Sequence, residues 1–580
     1  MGSASLAVLE RGRMSGAIAF GDKEVSRRRR EARSSVLGSR EYPWKTRVLL
    51  PTVLVALVLA LPPVATGQDV VWTRQFGTGG SVIVFGISVD TSGVYVGGHV
   101  FGALSGYTPL GNADAFVRKY DDAGTEVWTR QFGTSGSDIV FGVSVDASGV
   151  YVAGEVGHGS GEALPGQTSS GGADAFVRKY DTAGTEVWTR QFGTSATDHA
   201  AGGVSVGASG VYVSGFSSGT LPGQTASGGA DTFVRKYDTA GTEMWTRQFG
   251  ASGEDSSQAT SSDASGVYVS GYVHGALPGQ TSSGGADAYV RKYDTAGTEV
   301  WTRQFGSAGS DQATGIAIGA SEAYVVGSVA GALPGQTYSG TDDAFVRKYD
   351  ATGGEVWTRQ FGTAAVDTAY ATSVDGAGVY LSGSTKGTLP GQTSSGDADA
   401  FVRKYDAAGG ELWTHQFGTA VADEATGISV AASGVYTAGR TSGALPTLAT
   451  SGGVDAFVRK YDDTPITILG FYQPVDMGDV VNTVKGGATV PLKFEVFDAG
   501  TERTDLAVVQ SLTLTQVVCV SGLPSDSIEI TATGGTELRY DTAAGQFIYN
   551  WKTPKLGGTC WDVTLTVVEG ASITAHFRLK

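Results

Sequence analysis

The sequence predicts an all-β protein: a seven-bladed β-propeller followed by a small immunoglobulin-like β-sandwich. Two repeated motifs carry the first half of this prediction. DAFVRKYD returns seven times with small changes, at spacings of 60, 57 and then 56 residues four times. WTRQFG also occurs seven times, once as WTHQFG with His415. Recurrence at a nearly fixed period indicates a repeat architecture. The 87 glycines beside 10% aromatic residues favour packed strands joined by tight turns over disorder.

One repeat contains four short predicted strands, which we designate a to d. In the second copy they cover residues 142–146, 150–154, 175–180 and 186–192, and all are rich in Val, Tyr, Phe, Trp and Thr. Short turns with glycine near their ends join a to b and c to d, whereas a long loop joins b to c. Repeated antiparallel units of four strands are typical of β-propellers. The tight turns should therefore share one rim of the ring, and the long loops the other.

The phase of the repeats predicts how the ring closes. The first copy begins with a d strand at Val70–Phe76, and the last copy ends with a c strand at residues 456–461. If these two strands pair, the ring has seven complete blades and no exposed edge strand. We also expect the Arg of WTRQFG to lie over an aromatic ring of the next strand.

The recurring DAFVRKYD and WTRQFG motifs, in one strand order, resemble the SBBP, or seven-bladed β-propeller, repeat of bacterial proteins over residues 68–463. That resemblance implies an exported propeller module. After residue 463 the repeat stops. GFYQPVD, followed by a segment with Pro491, Lys493 and Phe494, and the later NWKTPKLGGTCWDVTL resemble the PxKF domain of bacterial secreted proteins. This second resemblance covers residues 464–580 and implies a β module without a reaction of its own.

Residues 1–67 differ from the rest of the chain. They carry 11 Lys/Arg and 5 Asp/Glu, whereas residues 68–580 have a net charge of −22. A basic stretch precedes an apolar run at 48–64 and small residues at 65–67, the order of a secretory signal peptide. An uncleaved N-terminal anchor is the alternative and would be the chain's only membrane contact. We expect an extracellular or cell-surface protein, monomeric, that binds no nucleic acid because its exported part is acidic.

The chain has two cysteines, Cys519 and Cys560, both in its last part. Because exported proteins commonly oxidise such a late pair, we predict one disulfide between them. Alternating strands around this pair, with turns between them, favour a sandwich of the immunoglobulin type.

Two sets of aspartates recur in the repeats. The aspartates that open each DAFVRKYD motif, such as Asp114, are expected to cap the preceding loop. A second set lies in the d-to-a loops, where an acidic ring would suit calcium, the only cofactor that the sequence leaves open. No D-x-D-x-D-G loop accompanies that second set, so turn residues are the favoured alternative. Its members are Asp138, Asp198, Asp255, Asp311, Asp367 and Asp423.

A ligand site should break the symmetry of near-identical repeats, so residues unique to one copy are better candidates. The longest copy carries Glu155, His158 and Glu162 in its b-to-c loop, and Asp198 and His199 follow in the next copy. Function tends to reside in loops that a rigid scaffold positions. We therefore predict that a ligand contacts the long-loop rim near these five residues, by metal binding or by contacts to a sugar.

Two functions remain open at this point. The favoured one is a secreted or cell-surface binding or structural module that presents loops to an extracellular glycan or protein. The alternative is an extracellular polysaccharide hydrolase or lyase. The sequence contains no HExxH motif and no recognisable pair of a nucleophile and a base. It also shows no distinct pair of carboxylates such as a glycosidase needs. Catalysis is therefore the less favoured interpretation.

Overall fold

The computed structural model describes residues 70–463, 466–498, 501–520, 523–528, 537–567 and 571–580. Over these residues the chain is built almost wholly of strands, and one 3-10 turn at Leu506–Val508 is its sole helical element. No helix within the described ranges is long and apolar enough to cross a membrane. The predicted signal peptide or anchor at 1–67 lies outside them.

Residues 70–463 form strands β1 to β29, with bounds close to those predicted from the repeat. In chain order they are β1 (Val70–Phe76), β2 (Val82–Asp90), β3 (Gly93–Val100), β4 (Asp114–Tyr120), β5 (Glu126–Phe132), β6 (Ser137–Asp146), β7 (Gly149–His158), β8 (Asp174–Tyr180), β9 (Glu186–Phe192), β10 (Asp198–His199), β11 (Val204–Gly207), β12 (Gly210–Ser217), β13 (Asp231–Tyr237), β14 (Glu243–Phe249), β15 (Ser256–Asp263), β16 (Gly266–His274), β17 (Ala286–Asp294), β18 (Glu299–Phe305), β19 (Asp311–Ile318), β20 (Ala323–Val329), β21 (Asp343–Tyr349), β22 (Glu355–Phe361), β23 (Asp367–Val374), β24 (Val379–Thr385), β25 (Asp399–Tyr405), β26 (Glu411–Phe417), β27 (Asp423–Ala431), β28 (Gly434–Thr441) and β29 (Asp455–Tyr461).

These strands form seven antiparallel sheets, which we call blades one to seven. Blade one is β2-β3-β4-β5, and blade two is β6-β7-β8-β9. In blade three the a strand is split into β10 and β11, both paired with β12. Blade seven has the order β27-β28-β29-β1, with Trp72 opposite Lys460 and Phe76 opposite Ala456. The predicted pairing of the first d strand with the last c strand is confirmed.

The a strands line the centre of the fold and close into a ring. Each of β2, β6, β11, β15, β19, β23 and β27 packs against the next, and β27 packs against β2. Glycines in the middle of several of these strands permit the close approach. A Cβ added to Gly142 would lie 2.6 Å from the Cα of Gly203 in the next blade. The protein is thus a β-propeller whose first and last repeats meet.

Neighbouring blades are fastened by the d strand of one blade and the c-to-d turn of the next. In blade two, Trp188 donates its indole N–H to the carbonyl of Thr239 at 3.2 Å, and Arg190 donates to the carbonyl of Gly241 at 2.7 Å. The guanidinium lies 5.6 Å from the ring centre of Trp188, two residues earlier on its own strand. The expected stacking of this Arg on the next strand was wrong. That role belongs to the c-strand arginines, such as Arg235 over Phe192 of the preceding blade at 4.0 Å.

The same contacts explain why His415 replaces arginine in blade six. Its neighbour, blade seven, takes its c strand from the end of the repeats and its d strand from their beginning, so no c-to-d turn connects them. The turn carbonyls that bind Trp and Arg elsewhere are therefore missing there. The indole N–H of Trp413 accordingly has no hydrogen-bond partner in the part of the chain that the structure describes. His415 instead stacks on Tyr461, with ring centres 5.5 Å apart and an interplanar angle of 13°.

Changing His415 to Phe should make the protein less sensitive to acid. Burial, with a smaller contribution from Arg459, lowers the pKa of His415 to about 4, whereas unfolded histidine titrates near 6.5. A lowered pKa favours the neutral ring in the folded state. Its contribution is therefore complete above pH 6.5 and is lost as the pH falls towards 4. Between pH 7 and pH 4 the wild type should lose about 3 kcal/mol more free energy of unfolding than His415→Phe.

Urea denaturation at both pH values measures this difference. His274→Phe is the control, since His274 is exposed in the long-loop rim and no buried ring is lost. Equal acid sensitivity of the wild type and His415→Phe would contradict the account.

Residues 466–580 form two further sheets around one core. The strands are β30 (Thr467–Gly470), β31 (Val481–Val484), β32 (Thr489–Asp498), β33 (Thr501–Arg503), β34 (Val509–Val517), β35 (Ser525–Ser527), β36 (Arg539–Asp541), β37 (Gln546–Lys552), β38 (Cys560–Val567) and β39 (Ser572–Leu579). The first sheet is β30-β32-β37-β36 with β33 on β32, and the second is β34-β38-β39-β31-β35.

Side chains from both of these sheets share one apolar cluster, in which Trp551 meets Phe577 edge to face at 4.9 Å. The predicted Cys519–Cys560 disulfide is confirmed. Strand β31 pairs in parallel with β39 and with β35, an arrangement that the strand pattern did not predict. The immunoglobulin-like and PxKF assignments stay predictions.

Candidate functional site

The aspartates of the d-to-a loops are buried and hold their own loops together. The carboxylate of Asp138 accepts the backbone N–H of Thr134 at 2.6 Å and that of Gly157 at 2.9 Å. Burial raises its pKa, and the charge of Asp114 adds to that effect. Corresponding backbone bonds recur in the other copies at Asp198, Asp255, Asp311, Asp367 and Asp423. These contacts favour turn residues over a calcium ring.

The aspartates that open each c strand have the capping role expected of them. Asp174 accepts the backbone N–H of Ser170 and the side-chain N–H of Gln191, both at 2.8 Å. Gln191 in turn accepts the backbone N–H of Leu164, so one network ties the b-to-c loop to the d strand. Oδ2 of Asp174 thereby serves the scaffold, whereas its buried Oδ1 has no hydrogen-bond partner among the described residues.

The space between the seven a strands is a cavity of about 540 Å³. Close to the axis its wall consists of small and apolar residues such as Gly86, Val143 and Gly315. Polar side chains also reach it, and they differ from blade to blade: Gln258, Gln312, Thr314, Tyr370, Glu424, Thr426 and Arg440. The cavity size is within the range of pockets for small ligands.

One position near the end of each b strand shows this asymmetry most clearly. It pairs with the residue that follows the d-to-a aspartate, at the long-loop end of the cavity; for example, Phe216 pairs with His199 and Arg440 with Glu424. In blade order its occupants are His99, Glu155, Phe216, Tyr272, Ser328, Ser384 and Arg440. We call this end of the cavity, with these seven residues and their pairing partners, the channel mouth.

Aromatic rings form an arc on one side of the channel mouth. The ring centre of Phe85 lies 5.6 Å from the ring centres of both His99 and Phe141. The ring centre of His199 lies 6.3 Å from that of Phe141 and 4.7 Å from that of Phe216. His99 is buried, and burial lowers its pKa to about 4, so its ring is neutral at pH 7. Neither of its ring nitrogens has a hydrogen-bond partner among the described residues. The arc therefore offers apolar faces together with unused polar atoms.

The part of the channel mouth that blades six and seven build is charged and fixed by hydrogen bonds. Arg440 donates to both carboxylate oxygens of Glu424, at 2.7 and 3.0 Å. Next to them the Tyr370 hydroxyl and the Ser384 hydroxyl lie 3.1 Å apart. Burial and the charge of Glu424 raise the pKa of Tyr370, so its phenol keeps its proton at neutral pH. Arg440 remains partly exposed and can bind a ligand with its remaining N–H groups.

Three of the five predicted ligand residues meet at the channel mouth. Nδ1 of His158 lies 3.9 Å from Oε2 of Glu155, and Nε2 of His199 contacts the same oxygen. The other two support this group. Asp198 holds the loop before His199, and the exposed Glu162 accepts the backbone N–H of Ser135 at 2.9 Å.

Sequence reasoning missed most of the channel mouth. His99, Tyr370, Glu424 and Arg440 were not singled out, although each differs from its counterparts in the other repeats. Aligning the copies residue by residue along strands a and b would have found them. The signal was a mixture of charged, aromatic and small residues at one position of an otherwise uniform strand.

No family model matches the chain. It is 27% identical over 410 residues to the regulatory protein FlaEY of Caulobacter vibrioides, covering 59% of this chain and 41% of that protein. The chain thus spans less than half the length of this relative.

Among solved structures, the WD40 β-propeller domain of Doa1 is similar with a TM-score of 0.38 and 11% identity, covering 68% of this chain and 96% of that one. The phage phi92 endosialidase follows with a TM-score of 0.36 and 10% identity, covering 88% and 87%. A sialidase of Trypanosoma rangeli in complex with sialic acid gives 0.29 and 9%, covering 90% and 88%. The propeller assignment rests on the strand pairing of this chain and not on these likenesses.

Proposed function

We propose that this protein is an extracellular glycan-binding module that holds a sugar unit of its ligand at the channel mouth. The observation that carries the proposal is the asymmetry of that mouth. Seven nearly identical blades place six different residue types at one b-strand position, with serine occurring twice, and the Arg440 of this set lines the cavity of about 540 Å³. Positions that hold the scaffold keep their residues, whereas this position varies from blade to blade, as expected where a rigid scaffold presents a ligand site.

The chemistry of the mouth supports a sugar over a folded protein partner. The volume of the cavity is that of a pocket for a small polar molecule. Gln258, Gln312 and Arg440 line the cavity with their hydrogen-bonding groups, together with the aromatic rings of Phe85 and Phe141. A sugar presents hydroxyl groups, which the polar side chains can hydrogen-bond, and apolar ring faces, which can pack on the aromatic rings.

A glycan array on the exported protein, followed by calorimetric titration of the best-bound glycan, tests this proposal. Gln312→Ala and Arg440→Ala should each weaken binding by about tenfold to a hundredfold, because each removes a hydrogen bond to the ligand. Gln312 is exposed, so its loss should leave the melting temperature unchanged.

Two sets of controls separate the channel mouth from other surfaces. Lys386→Ala removes an exposed cation from the same rim, and Thr182→Ala and Thr185→Ala change the opposite rim. All three should bind the glycan within about twofold of wild type. Loss of binding in the turn variants, with binding kept in Gln312→Ala and Arg440→Ala, would refute the channel mouth as the site.

A further inference from the structure

We propose that Glu155, His158 and His199 form a zinc site at the channel mouth. One ligand atom from each residue lies within 4.8 Å of the other two. Two imidazole nitrogens and one carboxylate oxygen form a donor set that Zn²⁺ accepts, with a fourth position left for water or a ligand. This inference does not depend on glycan binding, since the three residues can hold a metal whether or not a sugar enters the cavity.

A bend in strand β7 brings Glu155 and His158 together. Gly157 has φ of +72°, and the strand bends there so that Glu155 and His158, three residues apart, reach the same place. The backbone N–H of Gly157 is fixed by the buried Asp138 at 2.9 Å. A Cβ on Gly157 would lie 2.5 Å from the carbonyl oxygen of Glu162, so this bend requires glycine.

His199 comes from the neighbouring blade and is equally constrained. It occupies the two-residue strand β10, which is separated from β11 by a turn found in no other blade of the described chain. Its ring is stacked on Phe141 with an interplanar angle of 24° and contacts Phe216 at 4.7 Å. These rings hold its orientation, with Nε2 against Oε2 of Glu155. A pre-oriented ligand loses little entropy when a metal binds.

The environment of Glu155 supplies independent support. Its side chain is only 5% exposed, and its Oε2, although His199 contacts it, makes no hydrogen bond within the described residues. A buried carboxylate oxygen without a hydrogen bond is costly. A divalent cation between Oε2 and the two imidazoles would compensate that cost directly.

The separations fit zinc after a small adjustment. Ligand atoms 2.0–2.2 Å from a tetrahedral zinc are about 3.4 Å apart. Nδ1 of His158 is 3.9 Å from Oε2 of Glu155, and His158 is 52% exposed, so its ring is free to move by the required fraction of an ångström. Oε2 of Glu155 and Nε2 of His199 are in direct contact, so these two atoms must move apart to admit the metal between them.

Titration calorimetry of the metal-free full chain with ZnCl₂, without a polyhistidine tag, tests the site. We expect one zinc per chain. His199→Ala and Glu155→Gln should each weaken zinc binding by about a hundredfold or more, since loss of a mere supporting residue already costs tenfold to a hundredfold. Wild-type zinc binding should also raise the melting temperature, and both variants should lose that rise.

His274→Ala is the matched control. His274 is a single histidine in the long-loop rim of blade four, and its Nδ1 lies 2.6 Å from the carbonyl oxygen of Glu254. Its removal should leave both stoichiometry and affinity unchanged. Circular dichroism of each variant verifies that the fold is kept, and His158→Ala, which alters an exposed ring, provides a second ligand variant that does not touch the core. No zinc binding at 100 µM, or equal binding by wild type and both His158→Ala and His199→Ala, would overturn the proposal.

Discussion

Replacing Trp72 with alanine should lower the free energy of unfolding of the propeller by about 4 kcal/mol. Trp72 belongs to the terminal strand that closes the ring and is 8% exposed. Its indole N–H donates to the carbonyl of Asp122 in blade one at 2.9 Å, and its ring lies 6.4 Å from Tyr120 of the same blade. The substitution therefore weakens the junction between the first and last repeats, and should expose β1 to exchange and proteolysis.

Urea denaturation and hydrogen exchange of residues 70–76 measure this effect. Val71→Ala is the control on the same strand, because Val71 is 53% exposed and should cost no more than about 0.5 kcal/mol. A loss below 1 kcal/mol for Trp72→Ala, with unchanged exchange of β1, would show that the ring does not depend on this strand.

Replacing both cysteines with serine should destabilise the C-terminal sheets by about 4 kcal/mol. Cys519 and Cys560 are 41 residues apart, and their disulfide closes that loop in the unfolded chain. The cross-link continues the ladder of β34 and β38, in which Val517 stands opposite Cys560. Loss of the bond increases the entropy of the unfolded segment and lets the end of this ladder open.

Scanning calorimetry should show a lower melting temperature for the transition of residues 466–580 and an unchanged transition for the propeller. Reducing the wild type should reproduce the shift, whereas the reductant should not affect the doubly substituted protein. An unchanged melting temperature in Cys519→Ser/Cys560→Ser would contradict the assigned role of the disulfide.

The order of strands in the propeller was predictable because the same pattern of strands and turns recurs in seven copies. Turn chemistry, strand composition and the phase of the copies all agree, and even the pairing of Val70–Phe76 with the last c strand followed from counting strands. The C-terminal sheets were harder to predict since they contain no repeat. Strand β31 pairs in parallel with two strands distant in sequence, and no local pattern encodes such a pairing.

The candidate site was predictable only in part. The idea that unique residues mark the site led to Glu155, His158 and His199, which the fold brings together. Uniqueness alone could not separate these three residues from Asp198 and Glu162. Which side chains point to the site depends on the bend at Gly157 and on the interruption between β10 and β11, and neither feature is visible in the sequence. Arg440 was missed although its partner Glu424 lies only 16 residues earlier in the same repeat, because the two residues become neighbours only through the pairing of β27 with β28.

The central claim is that the residues shared by all repeats build the ring and that the exceptions at the channel mouth bind. Anomalous X-ray diffraction from crystals of the protein grown with ZnCl₂, recorded at the zinc absorption edge, tests this most directly. The account predicts one strong peak between Oε2 of Glu155, Nδ1 of His158 and Nε2 of His199. Peaks repeated from blade to blade beside the buried aspartates, with none among these three residues, would contradict it.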